Sequence, residues 1–232
     1  MKWLKIKTVL MDVDGTITDI GGKGKIMDQS PLEHLVRFVM EKYSVDAEEA
    51  KRKIQSCGDL DINCLSEFLP ELGIDEEEYF SVLRQDLTKH ITIQDDAIVF
   101  LKVMREKKIP VYATTANSRF MTFAKLSVRG LADCAGSEFL AGCHPGNEFH
   151  DPLGKFSRNF YQNILKNHDY SPDKTIMIGD EPEYDLYPAL KAGIGYGAII
   201  NRSQKGGILH KDGGIFVNSL RTLANIITRQ VQ

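Results

Sequence analysis

Cysteine is scarce in this sequence. The 232 residues include four cysteines, none of them in a CxxC pair: Cys57, Cys64, Cys134 and Cys143. Zinc sites and disulfide frameworks depend on closely spaced or paired cysteines, so this scatter argues against both. We therefore expect buried free thiols.

The segment CHPGNEFH places His144 and His150 beside Cys143, a composition that could suggest a metal cluster. Its proline and glycine predict a turn, and no second pair of ligand residues lies nearby in the sequence. We interpret these side chains as polar residues of a loop.

Long apolar runs and an excess of positive charge are also missing. No run approaches the roughly 20 apolar residues of a membrane span, and the apolar run in MKWLKIKTVLMDV is too short for a signal peptide. The formal charge is -3, so no broad basic field is available to hold nucleic acid or an anionic membrane. We expect a cytoplasmic protein in which any anionic ligand is held by local groups.

The sequence has no internal repeat, and short β-branched runs alternate with helical patterns along most of it. Strands are predicted in IKTVLMDV, IPVYATT, KTIMIGD, YGAII and GIFVN, and helices over residues 96–107, 118–129, 157–168, 183–192 and 219–229. This alternation is typical of βαβ units. It predicts an α/β fold with a doubly wound, Rossmann-like parallel sheet covered by helices on both faces.

Residues 30–90 interrupt that alternation. They contain amphipathic helical patterns such as PLEHLVRFVMEKY and DEEEYFSVLRQDLTKH, and no convincing strand. Ser30 followed by Pro31 predicts the start of one helix, and Asp75 the start of the last. We expect an insert of about four helices after the first strand.

The stretch KTVLMDVDGTITD ends an apolar strand in a group of carboxylates. Side chains two positions apart in an extended segment point the same way, so Asp12 and Asp14 should share one site. Gly15 permits a sharp turn, and Thr16 adds a hydroxyl. Two carboxylates this close indicate a bound cation or acid–base chemistry more than a turn-capping role.

A second strand, IPVYATTAN, ends in hydroxyl and amide groups before a helical pattern. Thr115, the backbone N–H of Ala116 and the side chain of Asn117 would suit the oxygens of a phosphate group. Such residues are also ordinary helix caps. Thr114 is a rival to Thr115, because alternation favours Thr115 only if Ala113 shares its face.

The third strand ends in GDEPEYD, where Asp180 and Asp185 could supply oxygen ligands for Mg²⁺. Asp185 could equally be an acidic residue in the first turn of a helix. Lys155 precedes the helix that leads into this strand. It could offset the charge of crowded carboxylates and phosphate, although a surface lysine is the simpler interpretation.

The polar groups follow successive strands at their carboxyl ends, where open α/β sheets bind ligands. With DVDGT, the threonine of YATTAN, the lysine of GKF, and GDEPEYD, the chain resembles a phosphatase-type hydrolase of the haloacid dehalogenase (HAD) superfamily. The resemblance implies a catalytic core over residues 1–18 and 91–232. It also implies a helical C1-type cap over residues 19–90, which we expect to act as a lid.

The resemblance implies a Mg²⁺-dependent phosphatase acting on a small phosphorylated metabolite. Asp12 would be the nucleophile that forms an aspartyl-phosphate, and Asp14 the general acid and base. Mg²⁺ would be bound by Asp12, the main-chain carbonyl of Asp14, Asp180 and, directly or nearby, Asp185. The groups that hold the transferring phosphoryl would be Thr115, Ala116, Asn117 and Lys155.

Two other functions are compatible with this pattern. A phosphomutase or phosphotransferase of the same superfamily would pass the phosphoryl to a sugar, and a receiver-like signalling module also combines acidic residues, a threonine and a lysine. Receiver domains lack both DxDGT and a helical insert at this position. Glu181, beside Asp180, stands where the superfamily often has a small or amide residue. The sequence leaves the substrate and the oligomeric state open.

Overall fold

The computed structural model describes residues 6–20, 24–60, 63–146 and 154–229. The strands there are β1 (Thr8–Met11), β2 (Thr18–Asp19), β3 (Thr92–Ile93), β4 (Val111–Thr115), β5 (Gly142–Pro145), β6 (Thr175–Gly179), β7 (Tyr196–Ile200), β8 (Leu209–Lys211) and β9 (Gly214–Val217). The α-helices are α1 (Pro31–Tyr43), α2 (Ala47–Cys57), α3 (Glu76–Leu87), α4 (Asp95–Glu106), α5 (Arg119–Ser127), α6 (Arg158–Asn167), α7 (Tyr187–Ala192) and α8 (Leu220–Thr228). None of the helices in these ranges is long and apolar enough to cross a membrane.

Seven strands form one sheet in the order β5-β4-β1-β6-β7-β9-β8. All neighbours are parallel except β8, which runs antiparallel to β9. The α/β fold class and the five predicted strands are confirmed. Met11, the last residue of β1, pairs with Ala113 of β4 and Ile178 of β6, so the polar residues that follow these three strands meet at one edge of the sheet.

The central strands are apolar because helices cover both faces of a parallel sheet. All four residues of β1 and all five of β6 are buried. Leu10 and Met177 pack in one cluster with Phe160 and Tyr161 of α6. This core fixes the strands whose carboxyl ends carry the candidate site.

The chain divides into two compact units, one of residues 1–19, 93–122 and 137–232, the other of residues 20–92 and 123–136. The second unit contains α1, α2 and α3, with a short 3₁₀ turn over Leu65–Phe68 in place of a fourth predicted helix. Ser30 and Asp75 cap their helices as predicted, each accepting a hydrogen bond from a backbone N–H three residues on. Ser30 forms a full capping box with Glu33.

The prediction that CHPGNEFH is a loop was wrong for Cys143 and His144. Gly142–Pro145 is β5, which pairs with β4 so that His144 lies opposite Thr114. His144 is buried and its ring stacks on Tyr112 with centroids 5.2 Å apart, contacts between strands that sequence periodicity does not reveal. Burial, together with electrostatic interactions with His168 and Arg119, lowers the pKa of His144 to about 3. His150 lies outside the described residues.

The four cysteines form no disulfide with one another. The expectation that they are all buried was wrong, because only Cys143 is buried and the others are partly exposed: Cys57, Cys64 and Cys134.

Candidate active site

The candidate site is a cavity of about 160 Å³ at the carboxyl edge of the sheet. The turns after β1, β4 and β6 and the 3₁₀ turn Gly154–Phe156 supply its walls. Every residue that the family resemblance assigns to the site lines it: Asp12, Asp14, Thr115, Ala116, Asn117, Lys155, Asp180 and Asp185. Thr114 is not among the lining residues.

Asp12, Lys155 and Asp185 form the buried centre of the site. Their exposed fractions are 4%, 7% and 1%. Lys155 Nζ contacts Asp12 Oδ1 and lies 2.8 Å from Asp185 Oδ1. One buried ammonium therefore neutralises part of the charge of two buried carboxylates, as a buried charge requires.

The pKa values at this centre follow from burial and from the neighbouring charges. Burial raises the pKa of Asp12 to about 8, with Lys155 opposing the rise and Asp185 adding to it. Burial alone would lower the pKa of Lys155, but the two carboxylates raise it above its ordinary value. Lys155 is therefore a permanent cation, whereas Asp12 needs further positive charge to stay ionised.

Asp180 completes a group of three carboxylates with Asp12 and Asp185, whose ligand atoms lie within 4.8 Å of one another. The hydroxyl of Thr16 donates to Asp180 Oδ1 over 3.2 Å. Burial and the charge of Asp185 raise the pKa of Asp180. Crowded oxygen ligands, with the pKa values of Asp12 and Asp180 raised, suit a hard divalent cation, which would favour their ionised forms.

Asp185 also holds the turn that follows β6. Its Oδ2 accepts hydrogen bonds from the backbone N–H groups of Asp180, over 3.1 Å, and Glu181, over 3.0 Å. The residue lies in a π-helical turn over Pro182–Leu186, just before α7. Its carboxylate is thus both a structural cap and a wall of the cavity.

Gly15 allows the turn after β1 to approach Asp180 closely. Its φ is +79°, and a Cβ at this position would lie 2.2 Å from Asp180 Oδ2. A side chain would therefore be strained and would displace the carboxylate. The glycine of DxDGT is required by both the turn and the neighbouring strand.

Asp14 lines the cavity and is exposed, unlike Asp12. Its two oxygens accept hydrogen bonds from Thr18 Oγ1, over 3.1 Å, and Asn117 Nδ2, over 2.8 Å. The two aspartates of one motif thus have opposite environments. Differing environments of this kind are what divide nucleophilic and proton-transfer roles between paired carboxylates.

Thr115 and Asn117 form a small hydrogen-bonded unit at the end of β4. Thr115 Oγ1 accepts hydrogen bonds from the backbone N–H and the side-chain amide of Asn117, over 3.1 and 3.0 Å. The Thr115 hydroxyl is left to donate its own proton. Thr114 instead donates to the carbonyl of Tyr112 over 3.3 Å, which leaves Thr115 as the threonine of the cavity.

Arg202 is a residue that the sequence analysis missed. It follows β7 and donates to the carbonyls of Gly15, over 2.9 Å, and Thr16, over 2.8 Å. It also donates to Asp96 of α4 over 2.9 Å, and Asp96 in turn accepts from the backbone N–H of Leu220. Arg202 therefore anchors the turn that carries Asp14, and its position at the carboxyl end of a strand was the available signal.

Thr18, Phe156 and Tyr184 were also missed. Thr18 holds Asp14, and its position four residues after that aspartate, in an alternating segment, could have indicated this contact. Phe156 and Tyr184 line the cavity without taking part in its polar contacts. Aromatic residues next to a lysine or an aspartate carry no sequence signal of this kind.

The profile of the haloacid dehalogenase-like hydrolase family matches residues 6–193. A search of curated proteins found no match. Similar solved structures include a HAD phosphatase from Thermococcus onnurineus, 19% identical with a TM-score of 0.57 over 96% of this chain and 98% of that chain. A magnesium-bound HAD hydrolase, YfnB from Bacillus subtilis, is 17% identical with a TM-score of 0.55 over 97% and 99% of the two chains.

A protein described as a β-phosphoglucomutase from Thermotoga maritima is also 17% identical, with a TM-score of 0.56 over 97% of this chain and 99% of that chain. At these identities the three structures support the fold. The family match extends from the residues before β1 through α7 and includes every residue of the candidate site. The chain therefore belongs to the haloacid dehalogenase-like hydrolase family.

Proposed function

We propose that the protein is a Mg²⁺-dependent phosphatase that hydrolyses a small phosphorylated metabolite through an aspartyl-phosphate. The observation that carries the proposal is the buried Asp12 carboxylate, paired with Lys155 and flanked by Asp180 and Asp185, with the exposed Asp14 two residues away. A buried nucleophile beside a solvent-facing acid is the arrangement that a two-step displacement needs.

The donor set fits Mg²⁺. Three carboxylates share the site with one lysine, so a divalent cation would neutralise the remaining charge. Asp12, the main-chain carbonyl of Asp14, Asp180 and Asp185 would hold it. When bound, the ion supplies positive charge that stabilises the phosphoryl oxygens and the ionised carboxylates.

In the first step, a carboxylate oxygen of Asp12 forms a bond to phosphorus while the bond from phosphorus to the leaving oxygen breaks. Asp14 donates a proton to that oxygen, so an alcohol departs. In the second step, Asp14 removes a proton from water, and the water oxygen bonds to phosphorus as the bond to Asp12 breaks. Phosphate leaves, and both aspartates return to their starting states.

Four groups would hold the phosphoryl through both steps: the hydroxyl of Thr115, the N–H of Ala116, the amide of Asn117 and the ammonium of Lys155. Because the Asn117 amide donates to Asp14 and Thr115, it would exchange its bond to Asp14 for one to the phosphoryl. That exchange would release Asp14 from one hydrogen bond as the substrate arrives. Charge stabilisation and positioning would supply most of the rate.

We further propose that the segment over residues 19–90 is the cap of this enzyme and acts as a lid. Its helices α1, α2 and α3 belong to one compact unit. A covering element would limit the access of water to the aspartyl-phosphate.

A phosphomutase remains the second candidate, because one similar structure is described as a β-phosphoglucomutase. A mutase would return the phosphoryl to a sugar and would depend on a bisphosphate activator. Turnover of a simple phosphomonoester with no bisphosphate present favours the phosphatase. The family match argues against the receiver-like module.

The test is phosphate release with Mg²⁺ across phosphorylated sugars, nucleotides, alcohols and short organic acids, each with and without a sugar bisphosphate. We expect activator-independent release from at least one class, and none from the Asp12→Asn protein. Release that is equal in the Asp12→Asn protein would remove the proposed mechanism.

A further inference from the structure

The cavity is small, and its polar lining is concentrated around the buried carboxylates. Its volume of about 160 Å³ lies below the roughly 300 Å³ at the lower end for sites that enclose a whole ligand. A phosphoryl group among Asp12, Lys155 and Thr115 would use the polar part of this space. The rest of a substrate must therefore extend past the mouth of the cavity.

Two aromatic side chains line that mouth. Phe156 is 53% exposed and Tyr184 is 43% exposed, and both belong to the cavity lining. Their ring centroids lie 4.6 Å apart with an interplanar angle of 63°, an edge-to-face pair. Single exposed apolar residues are ordinary, but two paired rings beside a polar site offer a contact surface for an apolar group.

Both aromatic residues are adjacent in sequence to residues of the buried centre of the site. Phe156 directly follows Lys155 in the 3₁₀ turn Gly154–Phe156, and Tyr184 directly precedes Asp185 in a π-helical turn. The carbonyl of Tyr184 also accepts a hydrogen bond from the buried Tyr161 hydroxyl over 3.0 Å. The pair is therefore held at a fixed place relative to the residues that would bind the phosphoryl.

We infer that Phe156 and Tyr184 form a leaving-group subsite for a phosphomonoester whose alcohol carries a flat, uncharged ring. A planar ring can stack on the face or edge of an aromatic side chain and exclude water from the two contacting surfaces. A short alkyl chain covers less of the side chain. The inference rests on the proposed function, because the phosphoryl end of the ligand is what brings the ring to the mouth.

The charge of the lining selects against anionic leaving groups. Among the described residues that line the cavity there are five carboxylates and one lysine: Asp12, Asp14, Asp180, Glu181, Asp185 and Lys155. Mg²⁺ and the phosphoryl dianion would offset each other, so the excess negative charge remains. Glu181 is exposed and belongs to the same lining as the two rings. A second phosphate or a carboxylate on the substrate would be repelled by that negative charge.

The test uses phosphonates, whose carbon–phosphorus bond is not hydrolysed, so binding is measured without turnover. With Mg²⁺ present, calorimetry compares benzylphosphonate, ethylphosphonate and 4-carboxybenzylphosphonate. We expect benzylphosphonate to bind about five- to tenfold more tightly than ethylphosphonate, and the carboxylated ring to bind more weakly than benzylphosphonate. Equal affinities for the benzyl and ethyl compounds would overturn the subsite. Tighter binding of the carboxylated ring would overturn its preference for an uncharged ring.

The variants Phe156→Ala and Tyr184→Ala should each reduce the benzyl-to-ethyl affinity ratio by about two- to tenfold, with little change for ethylphosphonate. Phe156→Leu, which keeps apolar bulk without a ring, should resemble Phe156→Ala. Leu209→Ala is the matched control, because Leu209 is 50% exposed on β8 and does not line the cavity. An unchanged ratio in both aromatic variants would overturn the assignment.

Hydrolysis of benzyl phosphate and ethyl phosphate is measured in parallel, since their alcohols have similar leaving-group ability. Turnover of both esters at equal kcat/KM would overturn the subsite and retain the phosphatase. Ring-selective phosphonate binding with no turnover of any ester would retain the subsite and remove the phosphatase. The two failures are thus distinguishable.

Discussion

Gly179 lies directly against the Asp185 carboxyl group: a Cβ on Gly179 would be 2.0 Å from Asp185 Cγ. This contact is possible because β6 ends in a residue without a side chain. Gly179→Ala should therefore displace Asp185 from Lys155 and from the backbone N–H groups it holds. We expect kcat/KM to fall by about 10²-fold or more, the usual result of a shift of about 1 Å at a catalytic site.

Gly207→Ala is the matched control for this prediction. Nothing lies within 4 Å of a Cβ at Gly207, and its φ is not in the left-handed region. The affinity for Mg²⁺, measured by calorimetry, should weaken in Gly179→Ala and stay unchanged in the control. Equal activity and Mg²⁺ affinity in the two proteins would mean that the Asp185 position is not critical.

Substitutions of the two aspartates of DVDGT should reduce phosphate release by different amounts. Asp12→Asn keeps the shape of the side chain but removes the proposed nucleophile, so phosphate release should be abolished. Asp14→Asn should slow release by roughly 10²- to 10⁴-fold, the usual contribution of general acid–base catalysis. Single-turnover assays measure the rate of phosphate release in both variants.

Asp173→Asn, an exposed carboxylate before β6, serves as the control and should behave as wild type. Circular dichroism checks that all three variants are folded. A loss of only a few fold in Asp14→Asn would assign proton transfer to another group.

Removal of divalent metal should abolish activity, because among the described residues of the site one lysine offsets three crowded carboxylates. Mg²⁺ should restore activity after chelation, whereas Ca²⁺ should bind and inhibit, since its larger and looser coordination misplaces the nucleophile. Phosphate release in chelator, then with each ion alone and both together, tests this. Full activity in excess chelator would refute the metal assignment for Asp180 and Asp185.

The strand ends were predictable from sequence because apolar β-branched runs and the polar residues after them are local features. Parallel pairing then brings Asp12, Thr115 and Asp180 to one edge whatever the details of the loops. The contacts of Arg202 were not predictable beyond its position after β7, since its partners are the carbonyls of a turn 186 and 187 residues away. Neither was β5, whose burial comes from pairing with β4 and ring stacking on Tyr112.

Arg202 should act as a positioning residue. Its guanidinium donates to Gly15, Thr16 and Asp96, so Arg202→Met leaves the turn after β1 without its anchor. We expect kcat to fall by about 10²-fold. Arg202→Lys should recover little, because an ammonium cannot reproduce the forked geometry.

Lys205→Met is the control for Arg202→Met, since Lys205 is an exposed cation of the same loop. Steady-state kinetics should show the change in Arg202→Met mainly in kcat, and thermal unfolding should show that the protein remains folded. A loss confined to thermal stability, with normal kcat, would make Arg202 purely structural.

The last prediction concerns Asp86, a buried carboxylate of α3 in the helical unit. Burial alone would raise its pKa, but hydrogen bonds from the N–H groups of Gln29 and Asp28 and from His34 and Lys89 lower the pKa to about 2. The bond from His34 Nε2 is 2.9 Å long and joins α1 to α3. A lowered pKa means that the folded state binds the proton less readily than the unfolded state.

The stabilisation from Asp86 is therefore fully present above its ordinary pKa of 3.8 and is lost as the pH falls towards about 2. Asp86→Asn should lower the free energy of unfolding by about 2–4 kcal/mol at pH 7, because an amide leaves buried donors without a charged acceptor. Urea unfolding at pH 7, 4 and 3 should show the difference from wild type narrowing below pH 4. Glu78→Gln, an exposed carboxylate of the same helix, should show little change at any pH. A difference for Asp86→Asn that is constant from pH 7 to pH 3 would contradict the assigned ionisation.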